Sequence, residues 1–223
     1  MSAGIIIALV FYLMSLLILI YHLFSKEKNH FLISIILIII GSFTFQLTES
    51  FSSEYLLFFI AIIFSFIGDL FMARKIKLVE SRIVNGTIGF GVAHIFYILA
   101  FYKLGPQSIE LWELGVGIIL LCFLYYFVIY SPELHKSLKV ATFVYAMIIA
   151  ILFVVILDFS NNSSIRPLSS IIAVIGIILF ILSDSIISYS EFKKEITYSK
   201  EIISITYVIS QILLQLTPVI LVI

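Results

Sequence analysis

Charge is scarce in this sequence. Only 12% of the 223 residues are Asp, Glu, Lys or Arg, while 62% are hydrophobic. The mean hydropathy is +1.23. A soluble domain carries about a quarter charged and about half apolar residues, so this composition excludes one, and lipid must cover much of the surface. A net charge of either sign is also missing, with 13 basic and 13 acidic residues. That removes the basic face a nucleic-acid partner requires. The one cysteine, Cys122, sits in an apolar run and can close no internal disulfide. No polar stretch is long enough to build a domain outside the membrane. No basic residue precedes the apolar run Gly4–Phe24. That run of 21 residues also exceeds the apolar stretch of about 7–15 residues in a secretory signal, so it is expected to be the first membrane span.

What is present is a series of apolar runs. A helix needs about 20 apolar residues to cross a hydrocarbon core of about 30 Å. Short polar breaks divide the chain into spans at 4–24, 31–47, 55–73, 86–104, 111–130, 138–158, 168–190 and 202–223. Continuous apolar runs favour helices over barrel strands, which alternate. The expected fold is therefore all-α: an integral membrane bundle of eight transmembrane helices forming one polytopic domain over residues 1–223. Lys26, Lys28, Arg74, Lys75, Lys77, Arg82, Lys136, Lys139, Lys193, Lys194 and Lys200 lie in or beside the odd-numbered loops, and only Lys103 and Arg166 lie on the other side. Basic loops stay in the cytoplasm, so the odd loops are expected there, with both termini outside the cell membrane. Trp112, Tyr55, Tyr102, Tyr130 and Tyr198 fall near span ends, as interfacial aromatics do.

Ionisable groups inside a bilayer are costly, which makes them candidates for function. Asp69 and Asp184 lie roughly 7 and 10 Å inside the cytoplasmic boundary at about 1.5 Å per residue. His94, Tyr145 and Gln211 enter from the same side at roughly 10–15 Å. Five polar groups on five spans thus share one half of the bilayer, and the outer half has no comparable set. Ser65 shares a helix face with Asp69, Ser188 with Asp184, Tyr97 with His94 and Tyr207 with Gln211. Gly89 and Ala93 would allow close helix approach beside His94. Phe64-Ser-Phe-Ile-Gly-Asp69 in the third span is echoed by Phe180-Ile-Leu-Ser-Asp184 in the seventh. That spacing suits two parallel four-helix repeats. Each residue also has a structural reading: a lone Asp could pair with a loop cation, His94 could be a hydrogen-bonded structural group, and Tyr145 and Gln211 could join helices.

At these residues the chain resembles the YhhN / lysoplasmalogenase family of membrane proteins. The likeness lies in Gly68-Asp69-Leu-Phe-Met72, Gly89-Phe-Gly-Val-Ala-His94-Ile-Phe-Tyr97, Val144-Tyr145-Ala146, Gly176-Ile-Ile-Leu-Phe-Ile-Leu-Ser183-Asp184 followed by Phe192, and Tyr207-Val-Ile-Ser-Gln211. The resemblance implies an eight-helix enzyme that hydrolyses the vinyl ether bond of lysoplasmalogens to a fatty aldehyde and a glycerophospho-base. Such chemistry needs one protonated acid and one ionised carboxylate, as in glycosidases. Asp69 and Asp184 are the expected catalytic pair. His94, Tyr145, Gln211, Tyr207 and Ser183 are expected to hold water or the glycerol hydroxyl. Arg74, Lys75 and Lys193 are candidates to meet the phosphate of a lysophospholipid. No cofactor or metal is required: the cluster has no Cys, and one His with two Asp on separate helices is a poor ligand set. The other reading is a small proton-coupled transporter or lipid-binding membrane protein. Against it, the polar cluster lies off the midplane and no span has a Gly/Pro break in its middle, Pro218 falling late in the last.

Overall fold

The structure is a computed structural model that describes residues 2–25, 30–105, 108–131 and 135–223, without the side chains of His30, Phe127, Lys136 and Ser137. Lys26 and Lys28, used above for orientation, lie outside the described residues. The described residues fold entirely as helices and connecting turns. The helices are α1 (Ala3–Phe24), α2 (His30–Thr48), α3 (Ser53–Met72), α4 (Arg82–Leu104), α5 (Leu111–Phe123), a π-helical continuation of α5 (Leu124–Ile129), α6 (Lys136–Asn161), α7 (Pro167–Phe192) and α8 (Ser199–Val222). Seven are long and apolar enough to cross a membrane, and α5 is the shorter one. An eight-helix membrane bundle results. Its lipid-facing side chains, among them Leu13, Leu17, Ile118 and Ile119, stay exposed, which in water would be a liability.

The fifth span departs from a uniform α-helix. Its last turn widens into a π-helix that closes with Tyr130 N–H donating to the Tyr125 carbonyl at 2.7 Å. The widened turn points Leu124, Val128 and Ile129 inward against Ala146 and Ile149 of α6. Such turns recur at functional sites.

Neighbouring helices pair in a repeating pattern. The contacts α1–α2, α2–α3 and α3–α4 have counterparts in α5–α6, α6–α7 and α7–α8, and α4–α6 corresponds to α8–α2. Among the described residues, the contacts of α8 with α1 and α3 have no counterpart. They make α8 the central helix, with 61% of its apolar window buried against 28% for α1. The helix therefore carries polar groups that only protein partners can satisfy. Gln215 Nε2 donates to the Phe58 carbonyl and to Tyr97 Oη, both at 2.8 Å. Ser42 Oγ donates to Gln215 Oε1 at 2.9 Å, and Tyr97 donates to Gln211 Oε1 at 2.9 Å.

Glycine sets the closest crossing. A Cβ on Gly89 would lie 2.7 Å from the Gly68 Cα, so α3 and α4 pack backbone to backbone one residue before Asp69. Small residues permit this approach in membranes, where dispersion rather than water expulsion joins helices.

Candidate functional site

Asp69 lies one turn before the end of α3, where the chain turns sharply. Arg74 takes a left-handed conformation (φ 56°). Its N–H reaches the Phe71 carbonyl at 3.0 Å, and Lys75 N–H reaches the Leu70 carbonyl at 2.9 Å. These two bonds satisfy terminal carbonyls of α3 and swing Lys75 back over the helix end. Asp184 occupies the corresponding region of α7, eight residues before its end at Phe192. Both aspartates are buried. Each is held by a tyrosine from another helix: Tyr207 of α8 donates to Asp69 Oδ2 at 2.9 Å, and Tyr145 of α6 donates to Asp184 Oδ2.

The two carboxyls face one cavity of about 900 Å³. Its floor is Asp69, Asp184, Phe90 and Tyr207, and its walls include Phe31, Met72, Ile187 and Ile203. Lys75, Arg82, Glu191, Glu195 and Lys200 form the mouth. These mouth residues come from the α3–α4 and α7–α8 turns and the helix ends that flank them, so the cavity opens at the end of the bundle that bears most of the basic residues. Asp184 also borders a smaller cleft of about 40 Å³ on its other side, lined by Thr87, Ile129, Thr142, Tyr145 and Ser188. The carboxyl thus sits between a large polar-mouthed chamber and a narrow gap among α4, α6 and the π-turn.

The Phe90 and Tyr207 rings of the floor meet each other and the Phe180 ring behind them edge to face, at 5.7–6.3 Å between centroids. This aromatic layer underlies the aspartates, while Gln211 and Gln215 of α8 bond to Ser65, Tyr97 and Phe58.

The other expected site residues divide. Tyr207 and Lys75 line the cavity, and Tyr145 lines the cleft beside it. His94 is buried behind them, its ring against Phe180 at 4.5 Å and Tyr145 at 5.5 Å. Neither ring nitrogen has a side-chain partner among the described residues. Gln211 is buried between Tyr97 and Ser65, and Ser183 Oγ donates to the Ile203 carbonyl at 3.5 Å. Arg74 borders a separate surface cleft with Lys77, Glu80 and Asn85. Lys193 is directed to the Tyr126 carbonyl at 3.4 Å, over the Tyr189 ring. Arg82 and Lys200 were not expected at the mouth. The spans read from hydropathy begin at 86 and 202, whereas α4 and α8 begin at Arg82 and Ser199, which carries both cations onto helix ends. Hydropathy is blind to a first turn that stands in the interface, but Ser81 ahead of Arg82 was a legible start signal. Among the described residues no third His, Cys, Asp or Glu joins the aspartates to form a metal-binding group.

The motifs, the pair of aspartates and the helix count all point one way, and a family model settles it: the YhhN family matches residues 13–217. The chain belongs to the YhhN family. No curated protein and no solved structure matches it. Within this YhhN chain the match covers every residue of the cavity described above.

Proposed function

We propose that this YhhN-family protein is a membrane-embedded hydrolase that cleaves the vinyl ether bond of a lysoplasmalogen or related lysolipid. The observation that carries this reading is the pair of tyrosine-held carboxyls on one cavity open to the basic end. A vinyl ether hydrolyses when a proton adds to the carbon that does not bear oxygen, leaving an oxocarbenium ion. Water then adds to the cationic carbon and gives up a proton, and the hemiacetal collapses to a fatty aldehyde and a glycerol hydroxyl. One of Asp69 and Asp184 supplies the first proton. The other, ionised, stabilises the cation and takes the proton from water. The aromatic floor closes the deep side of the chamber, and the alkyl chain lies among its apolar walls. Tyr145 and Tyr207 hold the carboxyls in place.

The charged mouth belongs in the cytoplasm of a plasma-membrane protein, because basic residues are so unevenly divided between the two ends. A site near one membrane surface also suits an enzyme acting on a single leaflet better than a transporter, whose site lies near the midplane.

The test is aldehyde release from lysoplasmalogen by the purified protein in detergent. Asp69→Asn and Asp184→Asn keep side-chain shape but remove the acid, so each lowers the rate by at least about 100-fold, with elution and thermal midpoint unchanged. Full activity in either folded variant removes the scheme.

A further inference from the structure

The mouth of the cavity carries charges that hydrolysis does not use. Arg82, at the start of α4, forms an ion pair with Glu191, near the end of α7. The pair joins the two helices, and its side chains are 37% and 29% exposed. Lys75, Lys200 and Glu195 border the same opening, and none has an ion-pair partner among the described residues. Ser190 also lines it, and its Oγ is buried without a hydrogen-bond partner among the described residues.

This mixture is informative. A site for a simple anion would not place two carboxylates beside its cations, and a site for a simple cation would not place three cations beside its carboxylates. A ligand of one sign that broke the Arg82–Glu191 pair would leave one half-buried charge without a partner, at a cost. A ligand with both signs avoids that cost. Its phosphate replaces Glu191 on Arg82, and its cation replaces Arg82 on Glu191. Arginine suits the first exchange, since its planar fork binds phosphate oxygens two at a time. Carboxylates suit a primary ammonium, which donates hydrogen bonds.

We propose that the cavity mouth is a head-group site for zwitterionic lysophospholipids, in which Arg82, with Lys75 and Lys200, binds the phosphate while Glu191 and Glu195 bind a primary ammonium. The Arg82–Glu191 ion pair is the resting state of this site and opens by exchange with the head group. The proposal deepens the hydrolase reading and rests on it for the lipid nature of the ligand.

The experiment measures binding to the full chain in detergent with saturated 1-O-alkyl analogues, which have no vinyl ether and cannot turn over. Three probes are used: the alkyl-glycerophosphoethanolamine, the alkyl-glycerophosphate and the alkylglycerol. Arg82→Gln weakens both phosphate-bearing probes by about tenfold and leaves the alkylglycerol unchanged. Glu191→Gln and Glu195→Gln each weaken the ethanolamine probe by about the same factor and do not weaken the alkyl-glycerophosphate. Equal loss across all three probes, or no loss in any variant, overturns the proposal. Water-soluble glycerophosphoethanolamine binding as tightly as the lipid overturns the lipid assignment. Head-group-dependent binding without aldehyde release sinks the hydrolase reading alone, and aldehyde release with binding indifferent to head group sinks this proposal alone.

Discussion

A phenol hydroxyl that donates to a buried carboxylate does two things: it satisfies one lone pair where water is scarce, and it fixes the rotamer of the carboxyl. Tyr207 and Tyr145 do this for Asp69 and Asp184 from two different helices. The proposed chemistry needs a proton delivered to carbon along a narrow approach, so a rotating carboxyl would waste encounters. Tyr145→Phe and Tyr207→Phe keep the ring packing and remove only the donor. Each variant should lose about 10- to 100-fold in kcat, the equivalent of one hydrogen bond to a charged group. KM for lysoplasmalogen should stay unchanged, because neither hydroxyl belongs to the head-group mouth. A rise in KM with kcat intact would mean that the tyrosines bind substrate and do not position the acids. His94 packs against the rings of both Phe180 and Tyr145 and does not line the cavity, so it is a packing neighbour of the site.

Helix ends and crossings decide where these residues meet. The backbone contact of Gly68 with Gly89 brings the end of α3 against α4 one residue before Asp69. Gly89→Ala introduces a Cβ that would sit 2.7 Å from a backbone carbon, which no rotamer change can relieve. The helices must part, at a cost of about 1–3 kcal/mol in stability. The variant should show a lower thermal midpoint in detergent and slower aldehyde release, since Asp69 moves with its helix. An unchanged midpoint would show that α3 and α4 do not cross at this point. Much at this level was legible in the sequence. A carboxylate in lipid is expensive enough that Asp69 and Asp184 stand out unaided, and Gly89 was readable as a site of close approach. The bonds of α8 to α2, α3 and α4 were not. Ser42, Tyr97 and Gln215 are each cheap in a span, and nothing in one sequence tells which helix rotation lets Gln215 reach both Ser42 and Tyr97. The π-turn at Leu124–Ile129 escaped for a related reason, since hydropathy measures where a helix lies and not how tightly it is wound.

The assembled bundle is asymmetric along its axis, and that asymmetry makes the last prediction. The chamber, its charged mouth and nearly all the basic residues share one end. At the other end, the carboxylates Asp158 and Glu113 are buried and spent on local structure: Asp158 accepts from Ser108 N–H at 3.2 Å, and Glu113 accepts from Asn161 Nδ2 at 2.8 Å. Lysine and arginine resist translocation, so the chamber should face the cytoplasm and take lipid from the inner leaflet. Labelling of intact cells with a membrane-impermeant maleimide decides this. Cys122 is first replaced by alanine; it is exposed on the bundle surface, within the span and so facing lipid. Ser163→Cys, in the turn between α6 and α7, should then react in intact cells. Glu80→Cys, in the turn between α3 and α4, should react only after permeabilisation. The reverse pattern would put the mouth outside the cell. Substrate would then have to come from the outer leaflet, and the even number of spans would carry both termini to the cytoplasm with it.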